Sequence, residues 1–155
     1  MSNVWKRAAA VLMLAGAALV PLAGHAQNQT GKAKDQAGNA KDHYRVVFHV
    51  TENNTQKWNI VLNNVSNIQH DLGKRNVTVE IVTHGPGIEM LKAESKVAAR
   101  LAQALDNGVV LDACENTMRN AGVTRADMYA GVSFVPSGVT HILKREREGW
   151  LYLRP

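Results

Sequence analysis

The 155-residue chain contains one cysteine, Cys114. It sits in the run Ala113-Cys114-Glu115-Asn116-Thr117-Met118. A thiol becomes a strong nucleophile once ionised, and its surroundings decide how readily that happens. The apolar stretch Val109-Val110-Leu111 reads as a strand entering a core. The polar segment after Cys114 can start a helix, and Gly122 closes it as a C-terminal cap would. Cys114 therefore falls at a strand-to-helix junction, the place where open α/β sheets put ligands and chemistry. The N–H groups of the following turn, from Glu115, Asn116 and Thr117, would stabilise its thiolate. Asp112 and Glu115 flank the sulfur, and negative charge would act the other way. Two readings stand: a reactive thiol, or a small buried hydrophobe.

Two histidines belong to the same neighbourhood. His49 closes the run Tyr44-Arg45-Val46-Val47-Phe48-His49-Val50, and His84 ends the run from Asn76. If the strands are parallel, both lie on the edge that carries Cys114. Each is then a candidate base or cationic neighbour for a thiolate, against the plainer role of a hydrogen-bonded residue at a strand end. Gly85-Pro86-Gly87 follows His84 as a strand-to-helix turn with backbone N–H groups that an anion could use. It lacks the fuller glycine pattern and the lysine of a phosphate loop. No tight histidine or carboxylate spacing points to a metal, and no cofactor is implied. A single cysteine excludes an intramolecular disulfide, a CxxC redox pair and a thiolate zinc cluster.

These residues must be held by regular elements, and the order of those elements is legible. Lys6 and Arg7, the apolar stretch Ala8 to Val20, Pro21 and Gly24-His25-Ala26 together resemble a secretory signal peptide cleaved after Ala26. The expected compartment is the periplasm or the exterior, where an exposed thiol is a liability unless it is used. Removing residues 1–26 leaves 129 residues, enough for one ordinary domain, and loses Lys6 and Arg7, so net charge falls from +5 to +3. No basic stripe interleaved with aromatics remains, so nucleic acid is not an expected partner. No later segment is apolar and long enough to stay in a membrane. Residues 27–43 hold no large apolar side chain and read as a flexible polar leader.

From residue 44 onward strands and helices alternate. Tyr44–Val50 is the first strand. Trp58, Val61, Leu62, Val65, Ile68 and Leu72 follow at helical spacing behind Asn53, Asn54 and Thr55. Val77, Val79, Ile81 and Val82 mark a second strand, and a helix is expected over about 95–106. Thr124 caps a short turn, and 131–136 reads as a fourth strand. Ser137 then caps a last helix with Val139, Ile142 and Leu143 on one face, and Lys144-Arg145-Glu146-Arg147-Glu148 is expected to be its solvated end. Trp150–Leu153 closes the sheet. Such βαβ units predict an α/β fold, a three-layer α/β/α sandwich on a mostly parallel five-stranded sheet.

Taken together, Arg45–Val50, His84–Ile88, Ala113–Met118, Gly131-Val132 with Val135–Val139, and Glu148–Pro155 resemble the DsrE/DsrF-like family, particularly its small single-domain members. The resemblance covers nearly all of residues 44–155. It implies the same α/β/α sandwich, commonly assembled as a homo-oligomer, a trimer or hexamer. It also implies sulfur trafficking, in which one cysteine accepts sulfane sulfur as a persulfide and passes it to a partner protein. Carried over, Cys114 is that acceptor. A signal peptide departs from the cytoplasmic carriers, so donor and acceptor would differ. The alternative is a non-catalytic oligomeric binding module with a buried, inert Cys114.

Overall fold

A computed structural model describes residues 43–155. The expected signal peptide and the leader up to residue 42 lie outside the described residues. The core opens with β1 (Tyr44–Val50), followed by α1 (Thr55–Leu72), β2 (Val77–Thr83), α2 (Ala98–Asp106), β3 (Val110–Cys114), α3 (Glu115–Ala121), β4 (Ser133–Val135), α4 (Gly138–Arg147) and β5 (Leu151–Leu153). The five strands form one sheet in the order β4-β3-β2-β1-β5, with every pairing parallel. The architecture is the expected α/β/α sandwich.

The strand order explains how unequal the two outer layers are. β1 to β4 step in one direction, so right-handed crossovers put α1, α2 and α3 on one face. The chain then returns across the whole sheet to β5, and α4 lies on the other face. The first face carries the main core, where Phe48, Ile81, Leu91, Leu101 and Leu111 are fully buried. The second carries an apolar cluster of only Val47, Val82, Ile142 and Trp150.

Local chemistry sets the boundaries. Asn54 caps α1, its side chain accepting from the N–H groups of Gln56 and Lys57 at 3.0 and 3.1 Å. Trp58 is core, as its spacing predicts, and its indole N–H donates to the Glu52 carbonyl. Thr124 and Asp127 form a reciprocal capping box around the turn at Arg125–Asp127. Gly122 ends α3 in the left-handed region, at φ 66°.

Several expectations shift. The Gly-Pro-Gly turn opens a 3-10 segment, Gly85–Leu91, and α2 begins at Ala98 because Ser95 and Val97 are taken up in the turn before it. β4 is only three residues long, and β5 starts after Trp150, whose ring is buried against the sheet instead. On α4 only Ile142 of the three apolar residues points inward; Val139 and Leu143 are 62% and 59% exposed.

Gly87 is fixed by close approach, since a Cβ there would run into the Val50 carbonyl at the end of β1. Gly87→Ala is expected to destabilise the protein by about 2–3 kcal/mol, the usual cost of overpacking against backbone. Urea unfolding of the two proteins measures it; equal midpoints would mean that the β1 end and the Gly85–Leu91 turn separate at little cost.

Candidate functional site

Cys114 is the last residue of β3 and leads directly into α3. The alternation of the strand turns its side chain, like that of Asp112, toward the face covered by α4. There the first N–H of α4, from Gly138, donates to Sγ at 3.2 Å. Gly138 is tightly placed: a Cβ on it would come within 3.3 Å of both Cys114 Cβ and the His84 side chain. A side chain at this position would press on both the thiol and the histidine.

Burial pushes the Cys114 thiol up. The N–H groups of Gly138, Thr117 and Asn116, with the Thr117 hydroxyl, outweigh it and leave the pKa below the ordinary thiol value. The flanking acids do not oppose this as the sequence suggests. Glu115 turns away to pair with Arg125, and Asp112 engages groups under α4. Asn116 also receives Arg119 through its side-chain oxygen, leaving its backbone N–H toward the thiol site and the Pro136 carbonyl. Cys114 itself is only 4% exposed.

The two histidines meet. His49 Nε2 and His84 Nε2 lie 2.5 Å apart, and His49 Nδ1 is 2.7 Å from the Tyr152 hydroxyl on β5. Either tautomer assignment gives an unbroken chain of hydrogen bonds from His84, beside Cys114, to a half-exposed phenol. Burial, assisted by neighbouring charge from Arg154, lowers the pKa of both rings, to about 4 for His49, whose partner His84 adds to the effect. Both are therefore uncharged at neutral pH. They can relay a proton, but they are not cationic partners for a thiolate. Tyr152 was not singled out in the sequence; its place on a closing strand paired to β1 in register, Val47 opposite Tyr152, brings it to His49.

At the turn, Gly85 N–H donates to Thr117 Oγ1 at 2.9 Å, and Gly87 N–H is shared between the Thr51 and His84 carbonyls. Pro86 has no N–H. These donors brace the turn against α3 and β1, and through Thr117 they also hold one of the groups that face the thiol.

A second polar cluster lies under α4, and the sequence reading missed it. Glu80 of β2 and Asp112 of β3 are both buried. Arg145 grips Glu80 with two hydrogen bonds, at 2.9 and 2.6 Å, and His141 Nε2 lies 3.0 Å from Glu80 and 3.8 Å from Asp112. Arg145 also stacks over Trp150 at 4.6 Å and pairs with Glu148. The stretch 144–148, expected to be a solvated end, thus contributes a half-buried anchor. Glu80, Asp112 and His141 place one donor atom each within 4.8 Å, as a metal site would. The guanidinium already occupies both Glu80 oxygens, and its charge opposes a second cation there.

Asp112 is the odd charge in this cluster. Burial, with the negative charge of Glu80, raises its pKa from 3.8 to about 6. The fold therefore favours its protonated form: that contribution is complete below about pH 4 and lost as pH rises through about 6. Ionising it costs on the order of 2–3 kcal/mol. Asp112→Asn keeps the shape without the charge. Urea midpoints measured from pH 4 to 7 are expected to fall for the native chain relative to the variant; parallel curves would refute this assignment of the charge.

A family model for the DsrE/DsrF-like family matches residues 45–155. Among solved structures, a protein of unknown function from Methanobacterium thermoautotrophicum is 38% identical, with a TM-score of 0.70, covering 72% of this chain and 99% of that one. A conserved protein of unknown function from Bacteroides thetaiotaomicron shares the fold at 18% identity, with a TM-score of 0.61, covering 77% and 99%. No curated protein matches the chain. The parallel sheet, the lone cysteine at the end of β3 and the matched span agree: the chain belongs to the DsrE/DsrF-like family.

Proposed function

We propose that this protein is an exported sulfur carrier in which Cys114 accepts sulfane sulfur and hands it to a partner. The observation that carries the proposal is the Gly138 N–H donated to the Cys114 Sγ at 3.2 Å, at a thiol whose pKa Asn116 and Thr117 at the start of α3 also help to lower. A persulfide is more acidic and more extended than a thiol, and the same donors suit its negative charge. The Cys114 thiolate attacks the outer sulfur of a low-mass persulfide. One S–S bond forms, the donor's S–S bond breaks, and the donor leaves as its thiolate. A partner's thiolate then attacks the outer sulfur and Cys114 leaves. No resolving cysteine and no oxidant enter either step. His84, uncharged and hydrogen-bonded to His49, which in turn meets the Tyr152 hydroxyl, provides a path for the proton that the thiol loses. With Cys114 only 4% exposed, the first donor must be small.

A specific observation favours self-assembly as part of this reading. Val139 and Leu143 on α4, with Tyr152 on the short edge strand β5, are large side chains exposed by 38–62%. They adjoin a groove of about 340 Å³ between α4 and β5 that reaches His49. An apolar surface of this kind is what a second copy would cover. Assembly as the whole function, with Cys114 inert, is the competing reading.

Two experiments test these readings. Incubation with a low-mass persulfide should add a mass of one sulfur to the native chain, reversibly by reductant, and none to Cys114→Ser. Uptake should rise with pH around a midpoint below the usual free-thiol value of about 8.5. A native chain that gains no sulfur, and alkylates only after denaturation, would favour the inert reading. The same spectra read export, since the processed chain should begin at Gln27. Separately, light scattering should give a multiple of the monomer mass for the native chain and a monomer for Leu143→Glu; a monomeric native chain would end the assembly proposal.

A further inference from the structure

We propose that Glu80, on the neighbouring strand β2 and paired with Val110 at the far end of β3 from the sulfur, is a positioning residue for Cys114: by holding Arg145 and His141 it seats α4 so that the Gly138 N–H meets Sγ. This deepens the carrier reading and rests on the reactive state of the same thiol.

Among the described residues α4 is the only helix on its face, and its apolar anchorage is thin. Ile142 alone of its large apolar residues is buried, against Val47, Val82 and Trp150. Val139 and Leu143, on either side of Ile142, face solvent. A ten-residue helix held by one aliphatic side chain would be free to slide or roll on the sheet. Its side-chain ties to the sheet are polar: Arg145 with a two-point grip on Glu80 and His141 with one hydrogen bond. His141 and Arg145 are four residues apart, so they occupy one face of the helix. Two ties at that spacing fix both the height of the helix and its rotation. Glu80 itself is fixed in the middle of β2, paired opposite Val47 of β1 and Val110 of β3.

The end of the helix that these ties position is the one that carries the chemistry. Gly138 is the first residue of α4, and its N–H is 3.2 Å from Sγ. A hydrogen bond to sulfur weakens steeply once the helix shifts by a fraction of its rise per residue. Asn116 N–H donates to the Pro136 carbonyl, in the turn that leads into α4, so the helix start is linked to the other side of the thiol site as well. The groups facing Glu80 are Asp112 from β3 and His141 and Arg145 from α4. Beyond them Glu148 pairs with Arg145, and Arg45 donates to the Glu148 carbonyl.

Positioning and direct charge predict opposite results. Removing the negative charge of Glu80 would, acting through space, stabilise the Cys114 thiolate and lower the thiol pKa. Loosening α4 withdraws the Gly138 N–H and raises it. The experiment is an ultraviolet titration of thiolate absorbance in the whole chain, with Cys114→Ser as blank; the single cysteine makes the signal unambiguous. Glu80→Gln is expected to raise the thiol pKa by about one unit, so that the thiolate fraction at neutral pH falls about tenfold. Arg145→Lys, which keeps the charge and loses the two-point grip, should give a smaller rise in a chain that stays folded. Circular dichroism and melting establish that each variant is folded. An unchanged or lowered pKa in folded Glu80→Gln overturns the proposal. Should Glu80→Gln not fold, an unchanged pKa in Arg145→Lys overturns it equally. The titration reads positioning even if Cys114 never takes up sulfur, so a failure of the carrier reading is seen separately, in the mass measurement.

Discussion

The contact between the first N–H of α4 and the sulfur at the end of β3 is the point through which the rest of the site is connected. It exists because the chain, after laying down β1 to β4 in one direction, must return across the sheet to add β5 beside β1. The return passes the carboxyl end of β3, and a helix begun there directs its free N–H groups at whatever β3 presents. In this chain β3 presents Cys114. The absence of a Cβ at Gly138 lets the approach happen at hydrogen-bond distance, with His84 packed against the same spot.

The thiol is thus activated by backbone and hydroxyl donors rather than by a cationic side chain. The two histidines that could have supplied charge are partly buried against each other and held neutral. This distinction has a chemical consequence. A histidinium beside a cysteine gives up its proton to the leaving group and suits bond cleavage in a substrate. A ring of N–H donors stabilises sulfur anions without committing a proton, which suits a site where sulfur arrives and departs as an anion. Burial works against this activation, and the donors prevail because they come from the starts of two helices, α3 and α4.

Much of this was legible in the sequence. The junction at Cys114, the exact extent of β1, the Asn54 and Thr124 caps and the Gly122 stop follow from residue type and spacing, because each is a local decision. The gathering of His49 and His84 at the cysteine edge followed from assuming parallel strands. What the sequence did not disclose is tertiary. Glu80 sits in the run Val77-Thr78-Val79-Glu80-Ile81-Val82-Thr83, where a charge in the interior of a buried strand requires a partner. The spacing of His141 and Arg145 offered that partner. It was masked by the alternating charges of 144–148, which as a group read as solvent-facing. Strand order hid Tyr152 in the same way, since nothing local says that β5 pairs with β1.

The two faces of the sheet divide stability and function between them. The face under α1, α2 and α3 is a continuous aliphatic core in which any helix displacement would open a cavity, so it fixes the sheet. The face under α4 holds few aliphatic contacts and both buried carboxylates: Glu80 and Asp112 cluster there with His141 and Arg145, and His49 and His84 form a second group. A single aliphatic contact such as Ile142 leaves a helix room to slide, whereas a two-point guanidinium–carboxylate grip does not. A helix that must deliver one N–H to one sulfur is therefore better located by ions than by oil. The buried charge this demands, with Asp112 only partly compensated by His141 and Arg145, is a cost in stability borne on the face where the chemistry sits.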